Sequence, residues 1–397
     1  MTVKLNTIIA SGLRFAWGYL LSKSALTNHK NTISDIGKGR KGVAYQQNKA
    51  GYSEEIPARK QDHIRINLQE DVQSLAQTGL DDYSFEHQAL PEIDLHTIQF
   101  SQKLFDKTVQ LPFLISSMTG GTREAWQINQ KLATAAQEFG LAMAVGSQRA
   151  AIENPETEFS FKVRNVAPDS LLFANLGAVQ LNYGYSIAEC QRAVDMIEAD
   201  ALILHLNPLQ EALQPEGETN FSGLLSKIEH VCNSIKVPVI VKEVGWGISS
   251  NAARRLIDAG VAAIDVAGKG GTSWAKVESH RSTDDTMKAV AESFFDWGIS
   301  TADSIKNVRS LNSNTIIFAS GGIRHGVDAA KCISMGASLV GFAGKFLKAA
   351  VDTEDALQRL CTQLTHELKI CMFVVGARNL NELKLTPLKE NNRPNHA

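Results

Sequence analysis

The sequence lacks the signals of a membrane or nucleic-acid-binding protein. Its 397 residues contain no run of 18 apolar residues, the length that a membrane-spanning helix requires. Lys and Arg number 40 against 42 Asp and Glu, and the net charge of −2 gives no bias toward nucleic acid. With 44% apolar residues, the composition is that of a globular protein. We therefore expect no membrane span and no nucleic-acid partner.

Cysteine is scarce, and dinucleotide motifs are missing. The sequence has no C-x-x-C pair, and no G-x-G-x-x-G follows its first strand-like run, which disfavours a dinucleotide-binding fold. We interpret the five cysteines as reduced core thiols and expect a cytoplasmic protein, because reducing compartments keep such thiols free. They are Cys190, Cys232, Cys332, Cys361 and Cys371.

What the chain does contain is a repeated alternation of strand-like and helix-like segments. Helical stretches such as AWQINQKLATAAQEFG and DAAKCISMG separate short apolar runs, which favours a parallel sheet. Eight such runs predict an α/β protein with a (β/α)8 TIM barrel, whose active site lies at the carboxyl ends of the strands. A doubly wound open sheet is the alternative. The runs are 113–118, 142–147, 171–176, 201–211, 237–244, 262–268, 315–321 and 338–344.

The sequence divides into three parts. Residues 1–53 carry eight Lys or Arg against the single acid Asp35, with an apolar patch at 8–21 that Arg14 interrupts. This basic extension resembles an organellar presequence or a membrane-surface helix; a disordered or functionless extension is the alternative. Residues 54–385 form the predicted barrel domain, in which the long gap at 269–314 indicates an insertion that serves as a lid or a subunit contact. Residues 386–397 are a polar tail.

Glycines follow the last two predicted strands and indicate a phosphate site. Gly321 ends the seventh run, Gly322, Ile323 and Arg324 follow it directly, and Gly341 to Gly344 end the eighth. Exposed backbone N–H groups at a helix start bind phosphate, and barrels commonly place a phosphate between these two loops.

Other strand ends supply groups that suit a flavin ring. Lys242 interrupts the apolar fifth run, where an unpaired buried ammonium is costly, so it either pairs with an acid or faces an electron-rich ligand in the barrel mouth. Ser117 and Thr119 at the end of the first run offer hydroxyls, and Asn175 on the third has an amide for a heterocycle edge. Together with the phosphate loops and the hydroxyl of Thr272, these groups predict a flavin mononucleotide (FMN) site.

A second anion site is indicated by residues that FMN does not require. Arg149 and Ser147 follow the second run, and Arg59, Lys60 and His63 precede the barrel. Cations and a hydroxyl suit a diphosphate. Glu211 is then a candidate Mg²⁺ ligand, because Mg²⁺ usually takes one or two carboxylates plus phosphate oxygens and waters. His205, Asn207 and Gln210 end the same strand and are predicted to face the substrate.

The motifs resemble those of type 2 isopentenyl-diphosphate isomerases, the flavin-dependent family, over residues 57–383. By that likeness Gln210, His205 and Asn207 are catalytic, Arg59, Lys60, His63, Arg149 and Gln210 contact substrate, and Glu211 binds magnesium. The residues implied to hold FMN are Ser117, Met118, Thr119, Ser147, Asn175, Lys242, Thr272, Gly321, Gly322, Ile323, Arg324, Ala343 and Gly344. The motifs are RKQDHI (59–64), SSMTGGT (116–122), VGSQRAAI (145–152), ANLGAVQL (174–181), HLNPLQE (205–211), VKEVGWGIS (241–249), AGKGGTSWAKVESHR (267–281), ASGGIRHG (319–326) and MFVVGARNL (372–380).

The resemblance implies a reversible 1,3-allylic shift that converts isopentenyl diphosphate to dimethylallyl diphosphate. Reduced FMN would act as an acid/base cofactor, Mg²⁺ would bind the diphosphate, and NADPH would be needed only to reduce the flavin. The family's use of Arg59 and Lys60 across a subunit contact further implies a homotetramer or homooctamer.

Three other functions are alternatives. An FMN-dependent 2-hydroxy acid oxidase would need a His and Arg directly after the sixth strand, where His280 and Arg281 come too late. An IMP-dehydrogenase-like enzyme would need a cysteine at a strand end. A non-catalytic flavin-binding protein would not need Glu211 and the basic cluster.

Overall fold

The structure is a computed structural model that describes residues 55–312 and 314–391. The predicted basic extension at 1–53 lies outside these residues. In the part of the chain that is described, no helix is both long and apolar enough to cross a membrane.

Eight parallel strands, β4 to β11, close into a barrel in the order β10-β11-β4-β5-β6-β7-β8-β9. Closure is completed by β11 pairing with β4, for example Gly341 with Leu114. The TIM-barrel prediction is therefore confirmed, and the open sheet is excluded. The strands are β1 Tyr83–Phe85, β2 Gln102–Leu104, β3 Lys107–Val109, β4 Phe113–Ile115, β5 Ala142–Ala144, β6 Leu171–Gly177, β7 Ala201–Leu206, β8 Val239–Glu243, β9 Ala263–Asp265, β10 Ile316–Ala319, β11 Leu339–Phe342 and β12 Leu388–Glu390.

Amphipathic helices surround the barrel, and their ends are set by local sequence. Thr122 caps the start of α2 by accepting from the backbone N–H of Ala125, and Gly140 ends it in a left-handed conformation. A capping box of Ser186 and Glu189 begins α4. The helices are α1 Glu55–Gln69, α2 Arg123–Phe139, α3 Arg149–Glu153, α4 Ile187–Ile197, α5 Pro208–Leu213, α6 Leu224–Ser234, α7 Ser250–Asp258, α8 Trp274–Arg281, α9 Asp285–Glu292, α10 Thr301–Arg309, α11 Gly326–Ser334, α12 Gly344–Val351, α13 Ala356–Val374 and α14 Leu380–Leu385.

The barrel interior is a packed core rather than a pore. Phe173 and Phe318 stack at its centre with ring centroids 5.7 Å apart and planes 10° from parallel. The β2–β3 hairpin adds Leu104, Phe105 and Val109 to the same apolar cluster at the amino-terminal end of the strands. Any ligand site built on this barrel therefore lies at the opposite, carboxyl end.

The insertion predicted within 269–314 contains α8 and α9 in addition to α10. Helix α1 packs on α8 through a small apolar cluster of Ile66, Val72, Val277 and Trp274. This packing holds the segment before the barrel, with its Arg-Lys pair, over the mouth of the barrel.

The carboxyl-terminal boundary needs a correction. Strand β12 pairs antiparallel with β1, with Tyr83 opposite Glu390. The folded body thus extends to Glu390 and beyond the predicted tail boundary at 385, because backbone pairing orders a segment whose composition is polar.

Candidate active site

A ring of polar side chains lies directly above the packed barrel core, and the two-residue period of strands explains it. Phe173, Ile203 and Ile240 fill the core, and two residues further along the same strands come Asn175, His205 and Lys242. The same step from the core residues Leu114, Ala263 and Phe318 gives Ser116, Asp265 and Ser320. The strands thus place apolar side chains in the barrel core and polar side chains at its carboxyl end.

A cavity of about 410 Å³ opens above this ring at the carboxyl end of the strands. All the residues predicted to bind FMN, substrate or metal contribute to its lining. They are Arg59, Lys60, His63, Ser117, Met118, Thr119, Ser147, Arg149, Asn175, His205, Asn207, Gln210, Glu211, Lys242, Thr272, Gly321, Gly322, Ile323, Arg324, Ala343 and Gly344. The structure therefore brings these residues into one site, while the role of each stays a prediction.

The glycines form one wall of the cavity, where backbones approach closely. A Cβ on Gly321, whose φ is 105°, would lie 2.0 Å from the carbonyl oxygen of Gly268. Thr301 Oγ1 donates to the Gly321 carbonyl oxygen at 2.6 Å and fixes this loop. Gly344 differs, because a Cβ there would meet nothing within 4 Å. It begins α12, and the N-cap residue Ala343 provides no side-chain cap.

Lys242 is buried and faces the cavity from β8. Its ammonium donates to the backbone carbonyl oxygen of Glu243 at 2.6 Å. Among the described residues no carboxylate lies within 4 Å of its Nζ, and the Glu243 carboxylate instead accepts from three backbone N–H groups. Asp265 is the register neighbour of Lys242 on β9 and is fully buried, with Oδ2 lacking a hydrogen-bond partner. Lys242 therefore forms no direct ion pair with a described carboxylate, and of its two predicted positions it has the one that faces the barrel mouth.

His205 is the register neighbour of Lys242 on β7 and is held as a neutral imidazole. Burial, with Lys242 and Lys60 nearby, lowers its pKa to about 3. Its Nδ1 lies 2.8 Å from Asn175 Oδ1, and Asn175 Nδ2 donates to Ser117 Oγ at 2.6 Å. These two hydrogen bonds fix the orientation of the imidazole ring. The other ring nitrogen, Nε2, takes no part in them.

Asn207, Gln210 and Glu211 form one hydrogen-bonded group at the end of β7. Asn207 Nδ2 donates to Glu211 Oε1 at 2.8 Å and to Gln210 Oε1 at 3.2 Å. Asn207 Oδ1 is buried without a partner, although it lies at the cavity. Pro208 begins α5 with Asn207 as its N-cap, so these side chains gather around the first turn of the helix.

Glu278 on α8 contacts two cavity-lining residues, Gln210 and His63, from outside the cavity. Its Oε1 accepts from Gln210 Nε2 at 2.9 Å and lies 3.1 Å from His63 Nε2, while Oε2 accepts from Arg281 Nη1 at 2.6 Å. Burial opposes ionisation, but the hydrogen bonds and the Arg281 charge lower the pKa of Glu278 to about 2. The pKa of His63 is lowered by burial.

Arg59 and Lys60 line the cavity of their own chain, and their use across a subunit contact stays a prediction. Lys60 Nζ donates to the Ser147 carbonyl oxygen at 2.7 Å and lies 5.1 Å from the centroid of the Phe161 ring. Arg59 lies 3.8 Å from Glu216, which also binds Arg281. Burial and the neighbouring Arg59 and Arg149 lower the pKa of Lys60 to about 7.

Arg149 is held by two carboxylates. Its Nε donates to Glu153 at 2.7 Å and its Nη1 to Glu218 at 2.8 Å. Gln180 Nε2 donates to the same Glu218 oxygen at 2.6 Å. The guanidinium is thereby oriented along one edge of the cavity.

Several functional candidates are absent from the sequence-based set. Gln180, Trp274 and Asp265 lie in or under the cavity, and Glu278 and Glu218 hold its lining. The two-residue period of β9 could have identified Asp265, and the motif AGKGGTSWAKVESHR contains Trp274 and Glu278. No local pattern distinguishes Glu218.

The residues that the oxidase and IMP-dehydrogenase-like alternatives require do not lie in the cavity. His280 is exposed and Arg281 is paired with Glu278 and Glu216, and neither lines the cavity, where a hydroxy acid oxidase would need them. None of the five cysteines lines it either.

The most informative comparison is with two bacterial relatives, each named isopentenyl-diphosphate delta-isomerase. The Synechocystis protein is 55% identical over 334 residues, covering 84% of this chain and 95% of its own, and the Nostoc protein is 53% identical over 333 residues with the same coverage. The chain belongs to the isopentenyl-diphosphate delta-isomerase family.

The identity of these relatives confirms the family resemblance that the motifs predict. The profile described as FMN-dependent dehydrogenase matches residues 206–390. Among solved structures, flavocytochrome b2 is similar with a TM-score of 0.61 and 17% identity, covering 85% of this chain and 92% of the other. The chain therefore shares its barrel fold with a protein of quite different sequence.

Proposed function

We propose that the protein catalyses the reversible isomerisation of isopentenyl diphosphate and dimethylallyl diphosphate, with reduced FMN and Mg²⁺. The observation that carries the proposal is the composition of the cavity at the carboxyl end of the barrel. Glycine loops for a phosphate lie on one wall, and Arg59, Lys60, Arg149 and Glu211 lie on another. The glycine loops and the charged group suit two different phosphate-bearing molecules that bind next to each other in the cavity.

The cavity fits FMN on three grounds. Gly344 leaves open space at the uncapped start of α12, where backbone N–H groups and the helix dipole favour a phosphate. Ser116 Oγ and Thr119 Oγ1 are buried at the cavity without partners, as groups awaiting a polar ligand would be. Lys242 has an ammonium free of carboxylate pairing among the described side chains and can face an anionic ring.

The cavity also fits Mg²⁺ bound with a diphosphate. The described residues hold no cluster of three or more His, Cys, Asp or Glu that could form a complete metal site. Glu211 and the unpartnered Asn207 Oδ1 offer oxygen ligands, which Mg²⁺ prefers, and the substrate and waters would supply the rest.

The allylic shift adds a proton at C4 of the substrate and removes one from C2. Reduced FMN, when bound, would supply an acid/base group and an electron-rich surface beside the five-carbon unit. His205, with a pKa of about 3, is neutral at physiological pH, so it orients the substrate and does not donate a proton as an acid. Gln210, fixed between Asn207 and Glu278, presents its amide in a single orientation. Its amide is too weak an acid to be the primary proton donor.

The test is an anaerobic assay of the purified protein with isopentenyl diphosphate, FMN, Mg²⁺ and NADPH, followed by proton NMR of the product. We expect dimethylallyl diphosphate, and no product when FMN or Mg²⁺ is omitted. Dithionite should replace NADPH, because only reduction of the flavin is required. Oxidation of lactate or mandelate in place of isomerisation would favour the hydroxy acid oxidase.

We also propose a cytoplasmic homotetramer or homooctamer. Five free cysteines, four of them buried, support a reducing compartment. Leu75 and Trp297 are exposed by 81% and 62%, and the Leu75 N–H donates to Asp296, so these two apolar side chains lie close together on the surface. Light scattering of the purified protein measures the subunit number, and Trp297→Ser should reduce it if this surface is a subunit contact.

A further inference from the structure

Glu218 lies just outside the cavity, yet three of the groups it contacts line the cavity. Its Oε2 accepts from Arg149 Nη1 at 2.8 Å and from Gln180 Nε2 at 2.6 Å. Its backbone N–H donates to Glu211 Oε2 at 2.6 Å. One residue therefore connects the cation predicted to bind diphosphate with the carboxylate predicted to bind magnesium.

The loop that carries Glu218 is fixed tightly to Glu211. Gln214 Nε2 donates to Glu211 Oε2 at 2.6 Å, alongside the N–H of Glu218. A Cβ on Gly217 would lie only 1.7 Å from the Glu211 carbonyl oxygen, so only glycine fits at this point. The loop thus holds the Glu218 carboxylate at a fixed place beside the metal ligand.

The charges around Arg149 have a consequence for anion binding. Glu153 and Glu218 already surround the guanidinium with two carboxylates, and the side chain of Glu218 is only 15% exposed. A diphosphate brought to Arg149 would meet Glu218 and Glu211 at close range in a partly desolvated site. Like charges repel strongly there, unless a divalent cation lies between them.

We propose that Glu218 is a positioning residue that makes diphosphate binding conditional on Mg²⁺. It acts through Arg149 and Glu211, without contacting substrate itself. In the absence of the metal its carboxylate repels the diphosphate and occupies Arg149; with the metal, the added positive charge offsets that repulsion. The inference rests on the proposed assignment of Arg149 to the diphosphate and Glu211 to magnesium.

The test measures binding of inorganic pyrophosphate to the FMN-loaded protein by titration calorimetry, with and without magnesium. Wild type should bind pyrophosphate much more tightly with magnesium. Glu218→Gln should strengthen the magnesium-free binding about tenfold and change the magnesium-supported binding less, so the enhancement by the metal falls about tenfold. Magnesium also binds pyrophosphate in solution, but that contribution is the same for each variant at equal concentrations and cancels.

Two further variants separate charge from structure. Glu218→Asp keeps the charge and should keep the magnesium enhancement. Glu354→Gln removes an exposed carboxylate on the loop between α12 and α13 and should match wild type. The proposal is overturned if Glu218→Gln weakens binding equally with and without magnesium, which is the behaviour of a purely structural support, or leaves both unchanged.

The outcome is distinguishable from failure of the proposed function. A protein without isomerase activity whose pyrophosphate binding still depends on magnesium through Glu218 would refute the reaction but not this role. A wild type that isomerises isopentenyl diphosphate but binds pyrophosphate equally with and without magnesium would refute this role but not the reaction.

Discussion

Gln210 Nε2 donates a hydrogen bond to Glu278 Oε1 at 2.9 Å, although Glu278 itself lies outside the cavity that Gln210 lines. The same carboxylate lies 3.1 Å from His63 Nε2. An amide from α5 and an imidazole from α1 are therefore oriented by one buried acid.

Glu278→Gln should reduce kcat by roughly 10- to 100-fold with a smaller change in KM, because a misplaced supporting group disturbs the reacting geometry more than substrate capture. Steady-state isomerase kinetics measure this effect. Glu292→Gln on the exposed face of α9 is the control and should keep the wild-type values. A wild-type kcat in Glu278→Gln would show that the orientation of Gln210 does not limit the reaction.

The same carboxylate should contribute to stability in a pH-dependent way. Its pKa is about 2 in the folded protein against an ordinary value of 4.5, so the stabilisation is fully present above pH 4.5 and is lost as the pH falls toward 2. Removing one member of a buried charged network costs on the order of 3 kcal/mol, so Glu278→Gln should be less stable at pH 7 by about that amount. Urea unfolding at several pH values compares the two proteins, whose difference should shrink in acid.

Lys60 should make substrate capture sensitive to pH near neutrality. Its pKa of about 7 means that the ammonium loses its proton as the pH rises through that value, and its attraction for a diphosphate is then lost. We expect kcat/KM to fall above pH 7 with this pKa, since kcat/KM reports groups of the free enzyme. Lys60→Met should lower kcat/KM at pH 6 and remove this step from the profile. Lys236→Met, an exposed site before β8, should leave the step in place.

Two glycines of the cavity wall should respond to alanine in opposite ways. Gly344→Ala places a methyl group in open space at a helix start, so the flavin-free protein should keep its stability while FMN binds about tenfold more weakly. Gly321→Ala forces a side chain into a positive φ of 105° against the Gly268 backbone and should cost roughly 2 kcal/mol of stability. Thermal unfolding without FMN and flavin fluorescence titration measure the two effects. Unchanged FMN affinity in Gly344→Ala would remove the start of α12 from the phosphate site.

Substitution of Glu211 should affect magnesium binding, and substitution of Lys242 should affect flavin binding. Glu211→Gln keeps the size of the side chain but removes the charge, so activity should need about tenfold more magnesium while FMN affinity stays close to wild type. Lys242→Met should show the reverse, with weaker flavin binding or slower flavin reduction. Titration of both variants with FMN and with magnesium decides the assignment. Wild-type magnesium dependence in Glu211→Gln would exclude Glu211 as the metal ligand.

The barrel and the location of the site could be predicted from sequence because both depend on local patterns. Strands buried on both faces are continuous apolar runs, and their carboxyl ends converge whatever the helices do. Glu278 could not be assigned in this way, since its partner His63 is 215 residues away in sequence. The route of Lys60 into its own cavity likewise depends on the packing of α1 on α8, which no periodicity encodes.

The β2–β3 hairpin and the stacked Phe173 and Phe318 close the barrel from below. Substrate and product must therefore enter and leave by the same opening, past the same cations. Product retained at that opening denies entry to the next substrate, so inhibition by product should be competitive. In a reaction that runs both ways, net flux then depends on how quickly other enzymes withdraw the product.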